Sequence, residues 1–97
     1  MERKKIINNL MSDGALFRCQ GIALAAIHKM ADEETVRLLR ELKKDRIWIL
    51  GRQVGWYAIA ALDFLGVEKY SGNDPEVLRF VSEFPVFLET IKDDLDK

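Results

Sequence analysis

The chain has little of what usually announces a function. Its single cysteine, Cys19, excludes an intramolecular disulfide and points to a reducing, cytoplasmic setting. Its single histidine, His28, has Asp32 four residues on and Glu33 beside it, a spacing at which helical side chains can share a metal. Asp32 is better placed as a helix cap, however, and no second His or Cys falls in a ligand pattern, so no metal and no cofactor are expected. As a nucleophile Cys19 would need a base. The sole candidate is His28, nine residues along the same helix, and a free cysteine mostly behaves as a small apolar side chain. No phosphate-cradling loop is present either, because Gly51 and Gly55 lie inside a helical pattern without the accompanying Lys-Ser/Thr. No set of nucleophile, base and oxyanion donor can be assembled, and an enzyme is not expected.

Net charge is also missing. Fifteen basic residues against sixteen acidic leave -1, so nothing draws the whole molecule to nucleic acid or anionic lipid. Long apolar runs are absent: Ile47–Val67 approaches membrane-spanning length but contains Arg52, Gln53 and Asp63. Its uninterrupted apolar runs fall far short of the roughly 20 residues a bilayer requires. MERKKIINNL has no apolar core of signal-peptide length. No membrane partner is expected. What the chain does have is a 48% hydrophobic share within 97 residues, enough for one packed domain spanning 1–97 and too little for two.

The informative feature is an internal duplication. RCQGIALAAIHKMA (Arg18–Ala31) and QVGWYAIAALDFLG (Gln53–Gly66) superimpose Ala23–Ile27 on Ala58–Leu62, and each is followed by a second similar segment, DEETVRLLREL from Asp32 and DPEVLRFVSEF from Asp74. Apolar spacings of 3 and 4 predict helices throughout. The first covers about Glu2–Met11. The second, about Ala15–Met30, is opened by Ser12 or Asp13 as cap, with Leu16, Ala23, Ile27 and Met30 on one stripe and small residues such as Gly21 allowing close backbone approach. The third, about Glu33–Lys44, is capped by Asp32, with Thr35, Leu38, Leu39 and Leu42 inward.

A fourth helix lies within Arg46–Leu65, weakened by Gly51 and Gly55, so the IWIL segment is expected as a continuation or a separate turn. Gly66 suits the left-handed closing position and Val67 the apolar contact after it. Asp74 and Pro75 open a fifth helix that Pro85 should kink or break. Repeat-like units then fall at about 15–44 and 46–84, with flanking helices at 1–11 and 86–97.

A capped helix reading DEETVRLLREL followed by an alanine-rich helix ending in AALDFLG resembles the HEAT-like (armadillo-type) helical repeats. The likeness implies stacked antiparallel helical hairpins and a scaffold that binds other macromolecules. With about two repeats, an inserted RIWIL and seven extra residues before the last unit, the expected form is an all-α, compact five- or six-helix domain, or a dimer that completes the stack.

Charge is unevenly distributed. Residues 37–52 hold six basic against two acidic residues, a local +4, while 63–97 hold nine acidic against four basic, a local -5. Arg37, Arg40 and Lys44 share a helix face, and Arg46 and Arg52 flank Trp48. These six are the candidate partner-binding residues. They suit a non-catalytic protein-interaction or scaffold module, Trp48 serving as an aromatic anchor. The same residues also suit a nucleic-acid-binding adaptor, and a small inhibitor or regulator of a larger enzyme is the third reading. Trp56 and Tyr57 are expected in the core. Helix 1 or the Phe80/Phe84/Phe87 stripe is the expected face for a homodimer.

Overall fold

The computed structural model describes residues 3–95 and shows five helices packed against one another, with one two-stranded hairpin. The elements are α1 (Arg3–Leu10), α2 (Ala15–Ile27), α3 (Glu33–Leu42), β1 (Trp48–Ile49), β2 (Arg52–Gln53), α4 (Val54–Phe64) and α5 (Pro75–Leu95). Glu2, at the expected start of the first helix, and residues 96 and 97 of the last segment lie outside the described residues. No helix among the described residues is long and apolar enough to cross a membrane.

The two alanine-rich helices form the centre. α2 packs against α1, α4 and α5, and α4 packs against α3 and α5 as well. The duplication carries through to burial: Ile22, Ala23, Ala25 and Ala26 are buried in α2, as are their counterparts Tyr57, Ala58, Ala60 and Ala61 in α4. Methyl-sized side chains on both helices let the backbones approach while still removing apolar surface from water. Gly21 performs the same service toward α1, where an added methyl group would stand 2.8 Å from the Leu10 amide nitrogen.

The second members of the two copies also correspond, Thr35 and Leu38 of α3 being buried like Val77 and Phe80 of α5. Both are capped alike. Asp32 accepts from the Thr35 amide at 3.2 Å, and Asp74 from the Glu76 amide at 3.0 Å and the Val77 amide at 3.5 Å. Their packing differs, because α5 lies on α4 and α2 whereas α3 lies on α4 and, to a lesser extent, α1.

Several boundaries depart from the sequence expectations. α2 stops at Ile27 because Lys29 turns left-handed (φ 53°), and the Lys29 and Met30 amides then close the helix on the carbonyls of Ala26 (3.1 Å) and Ala25 (2.8 Å). Its N-cap is Gly14, whose own amide donates to Ser12 Oγ at 3.1 Å. Pro85 does not break α5, which runs unbroken to Leu95; Phe84 and Leu88 are buried on either side of it and hold the helix to the core. Residues 86–95, expected as a separate flanking helix, are the second half of α5. Most of the Phe80/Phe84/Phe87 stripe is interior: Phe80 and Phe84 are buried and Phe87 half-buried, with Phe80 and Phe87 packed on Tyr57 at ring separations of 5.0 and 5.7 Å. Ile6, Ile7 and Leu10 of α1 are likewise buried.

The largest departure is at RIWILGRQV. A helical spacing of apolar residues there belongs instead to an antiparallel hairpin, with Trp48 opposite Gln53 and Ile49 opposite Arg52. The helix begins only at Val54.

Candidate interaction surface

The hairpin is built from its base upward. Asp45 follows the end of α3, and its Oδ1 accepts the Ile47 amide at 3.0 Å, turning the chain outward. Its carbonyl accepts the Gly55 amide at 2.8 Å, which pins the first turn of α4 beside the end of α3, and Val54 N–H donates to the Ile47 carbonyl at 2.9 Å. From α2, Arg18 donates to Asp45 Oδ2 at 2.9 Å, with both side chains largely shielded. The chain then reverses over Leu50 and Gly51, both at positive φ (52° and 82°). Two consecutive positive φ values are the signature of the mirror-image turn that matches strand twist, a position that favours Asn-Gly over Leu-Gly.

This turn lifts apolar side chains into solvent. Leu50 is 73% exposed, Trp48 58% and Ile47 52%. Trp48 rests edge-on against Trp56 at a ring separation of 5.3 Å, which orients the indole without burying it. Beside the turn, Arg52 places its guanidinium 4.4 Å from the centre of the Phe80 ring, a cation–π contact. Between the hairpin and α5 runs a groove of about 460 Å³ floored by Trp56 and Phe80 and edged by Glu76, Arg79 and Glu83.

The six candidate residues are thus divided. Trp48 and Arg52 both lie on the hairpin, on adjacent rungs rather than opposite each other, and Lys44 and Arg46 are exposed on the segment leading into it. Arg37 and Arg40 lie on the outer face of α3 and are matched by acids. Arg37 pairs with Glu41 at 3.2 Å, and Arg40 meets Glu68 at 3.1 Å while Lys43 pairs with the same carboxylate. Lys43, with Arg40 beside it, holds the Glu68 carboxyl below its ordinary range.

Ile47 and Leu50 were not among the sequence candidates. Their helical spacing to Val54 disguised them as core residues. Cys19 is buried, and burial together with the Asp45 charge pushes its thiol up to about 12, so the thiolate is scarce at neutral pH.

Comparison with protein-family models, with curated proteins and with solved structures returns no match. The fold and surface define a class: a small domain of five packed helices that displays an apolar hairpin.

Proposed function

We propose that the chain is a non-catalytic protein-interaction module, a degenerate relative of the HEAT-like helical repeats, whose contact surface is the hairpin tip Ile47, Trp48 and Leu50 flanked by Lys44 and Arg46. The observation that carries this reading is Leu50: a large apolar side chain, 73% exposed, on a residue held at φ 52°. A non-glycine residue in that conformation costs about 1–2 kcal/mol. Strain combined with exposure of an apolar group is a pattern found where a surface is used. Trp48 supplies the aromatic anchor and the two cations a polar rim, the usual anatomy of a contact patch.

The pairing of Arg37 and Arg40 with Glu41 and Glu68 favours protein over nucleic acid as the partner, because a phosphate backbone would have to compete with those carboxylates. The deeply protonated Cys19 thiol, with His28 roughly 14 Å away along the helix at 1.5 Å per residue, supports a role without catalysis.

The test uses Leu50→Asn, which suits the turn better than leucine while removing the apolar tip. Affinity capture from the native host at physiological salt, with wild type, Leu50→Asn and Arg37→Ala compared, should recover a protein held by wild type and Arg37→Ala and lost by Leu50→Asn. An identical set from wild type and Leu50→Asn defeats the assignment. Recovery of nucleic acid, lost with Lys44→Glu and Arg46→Glu, puts the adaptor reading in its place.

A further inference from the structure

α5 is apolar on two sides. Its inner stripe of Phe80, Phe84 and Leu88 is buried, yet Leu78 and Val86 stand 45% and 67% exposed on the outward side. A helix at the surface ordinarily turns polar residues to water there. At a rise of about 1.5 Å per residue, Leu78, Ser82 and Val86 form one ridge about 12 Å long, with no charged residue between its ends. Phe64 adjoins its Val86 end, the two side chains lining one depression with Pro85.

Arg79 and Glu83 form the next ridge, on the flank nearer the hairpin, where both edge the Trp56/Phe80 groove. Neither has an ion-pair partner among the described residues. A basic residue four positions before an acidic one is the less favourable order for a pair within a helix, and both charges are left available.

Ridge and flank complement their own copy. An isologous contact requires one patch that matches itself after a twofold rotation, and helix ridges spaced by four residues pack at an interaxial angle of about 50°. With two α5 helices antiparallel and the twofold at Ser82, Leu78 meets the partner's Val86, and the small serine lies where the backbones come nearest. Such a twofold turns each flank toward its own counterpart. Arg79 then looks across to the partner's Glu83, displaced by about 3 Å along the axis, and the contact occurs twice. Glu89, paired with Lys92 and 69% exposed, falls opposite the first turn of the partner helix, where the dipole favours negative charge.

We infer that the outward face of α5 is an interface between two copies of this chain. Leu78 and Val86 supply the apolar contact, and two symmetric Arg79–Glu83 ion pairs fix the register. The inference is independent of the hairpin reading. A dimer of this kind carries two hairpins on one particle, so a partner with repeated sites is held by both.

Sedimentation equilibrium of the full chain over a concentration series reads the self-association constant. Wild type should dimerise reversibly. Arg79→Glu and Glu83→Arg should each weaken the dimer about tenfold or more, because each sets like charges opposite one another at two contacts. Mixed in equal amounts, the two variants should associate with each other, since every contact then joins opposite charges. The double variant Arg79→Glu/Glu83→Arg should return to within about threefold of wild type, a recovery that damage to the fold does not produce. Val86→Lys, at a position that faces solvent in the single chain, should abolish association, and Leu50→Asn should leave it unchanged. A chain that stays monomeric to about 1 mM overturns the proposal. So does a dimer that ignores the charge reversals, or one that dissociates with Leu50→Asn instead.

Discussion

Arg18 reaches from α2 to donate its Nε–H to Asp45 Oδ2 at 2.9 Å, and this contact ties the base of the hairpin to α2. The two side chains are only 11% and 15% exposed, so neither is freely hydrated once its partner is removed. Arg18 also donates to the Ser12 carbonyl at 2.9 Å, bracing the α1–α2 turn. Breaking a buried pair costs about 3–5 kcal/mol when one charge is stranded, and residual exposure places this pair lower. Arg18→Met should therefore destabilise the fold by about 2–3 kcal/mol in urea unfolding. Asp45→Asn, which keeps an acceptor for the Ile47 amide, should cost less, and the double variant should fall short of the sum. Strict additivity would show that the contact contributes nothing of its own.

Gly55 has a different sensitivity. A methyl group there would stand 2.4 Å from the Lys43 carbonyl oxygen and 2.9 Å from that of Asp45, both backbone atoms that cannot swing aside. Gly55→Ala should cost at least about 3 kcal/mol, the upper end for overpacking, even though alanine is the better helix former. Gly51→Ala meets nothing within 4 Å, but its φ of 82° strains any side chain, so its cost should be about 1 kcal/mol. Denaturant midpoints for the two variants settle the order, and a Gly55→Ala protein as stable as wild type would mean that α3 and α4 do not approach as closely as this.

These two glycines also mark where the sequence stops being readable. The alanine clusters 23–26 and 58–61 announce the central helix pair because helical burial repeats locally, and Gly66 with Val67 announces a helix end because the motif is contained in a few residues. Gly55 looks like a weak point in a helix. Its purpose is visible only once a carbonyl twelve residues earlier is beside it. Likewise Ile47, Leu50 and Val54 keep helical spacing, and two-residue strands are too short to show alternation against it. Lys44, Arg46 and Trp48 were legible as exposed candidates. The neutralisation of Arg40 by Glu68, 28 residues away, was not.

Asp32, together with Glu68, contributes to the acid limb of stability. Arg3 donates to Asp32 Oδ2 at 2.6 Å and Thr35 Oγ1 to its Oδ1 at 2.7 Å. The guanidinium first, then the Thr35 bonds, lower its carboxyl to about 2 from an ordinary 3.8. The folded form thus holds the proton less tightly than the unfolded form. The resulting stabilisation is complete above about pH 4 and is lost as pH falls toward 2. Because Asp32 and Arg3 are both substantially exposed, added salt should weaken the effect. The melting-temperature gap between wild type and Asp32→Asn should be widest above pH 4 and close toward pH 2. A gap that is constant across this range would mean that the charge on Asp32 is irrelevant to folding.

Lys29 and Gly66 offer a paired comparison, since both close a central helix in the same left-handed geometry. At Gly66 (φ 74°) the Val67 amide returns to the Leu62 carbonyl at 3.1 Å and the Gly66 amide to Asp63 at 3.0 Å. At Lys29 (φ 53°) the Met30 and Lys29 amides make the equivalent bonds to Ala25 and Ala26. Only one of the two closures carries the residue that adopts this conformation without penalty. Lys29 is exposed, so its side chain contributes little packing to offset the strain. Lys29→Gly should stabilise the fold by about 1 kcal/mol and Gly66→Ala should destabilise it by a similar amount. The sign is the decisive readout. If Lys29→Gly lowered the melting temperature, the lysine side chain would have to contribute more through its contacts than its backbone loses.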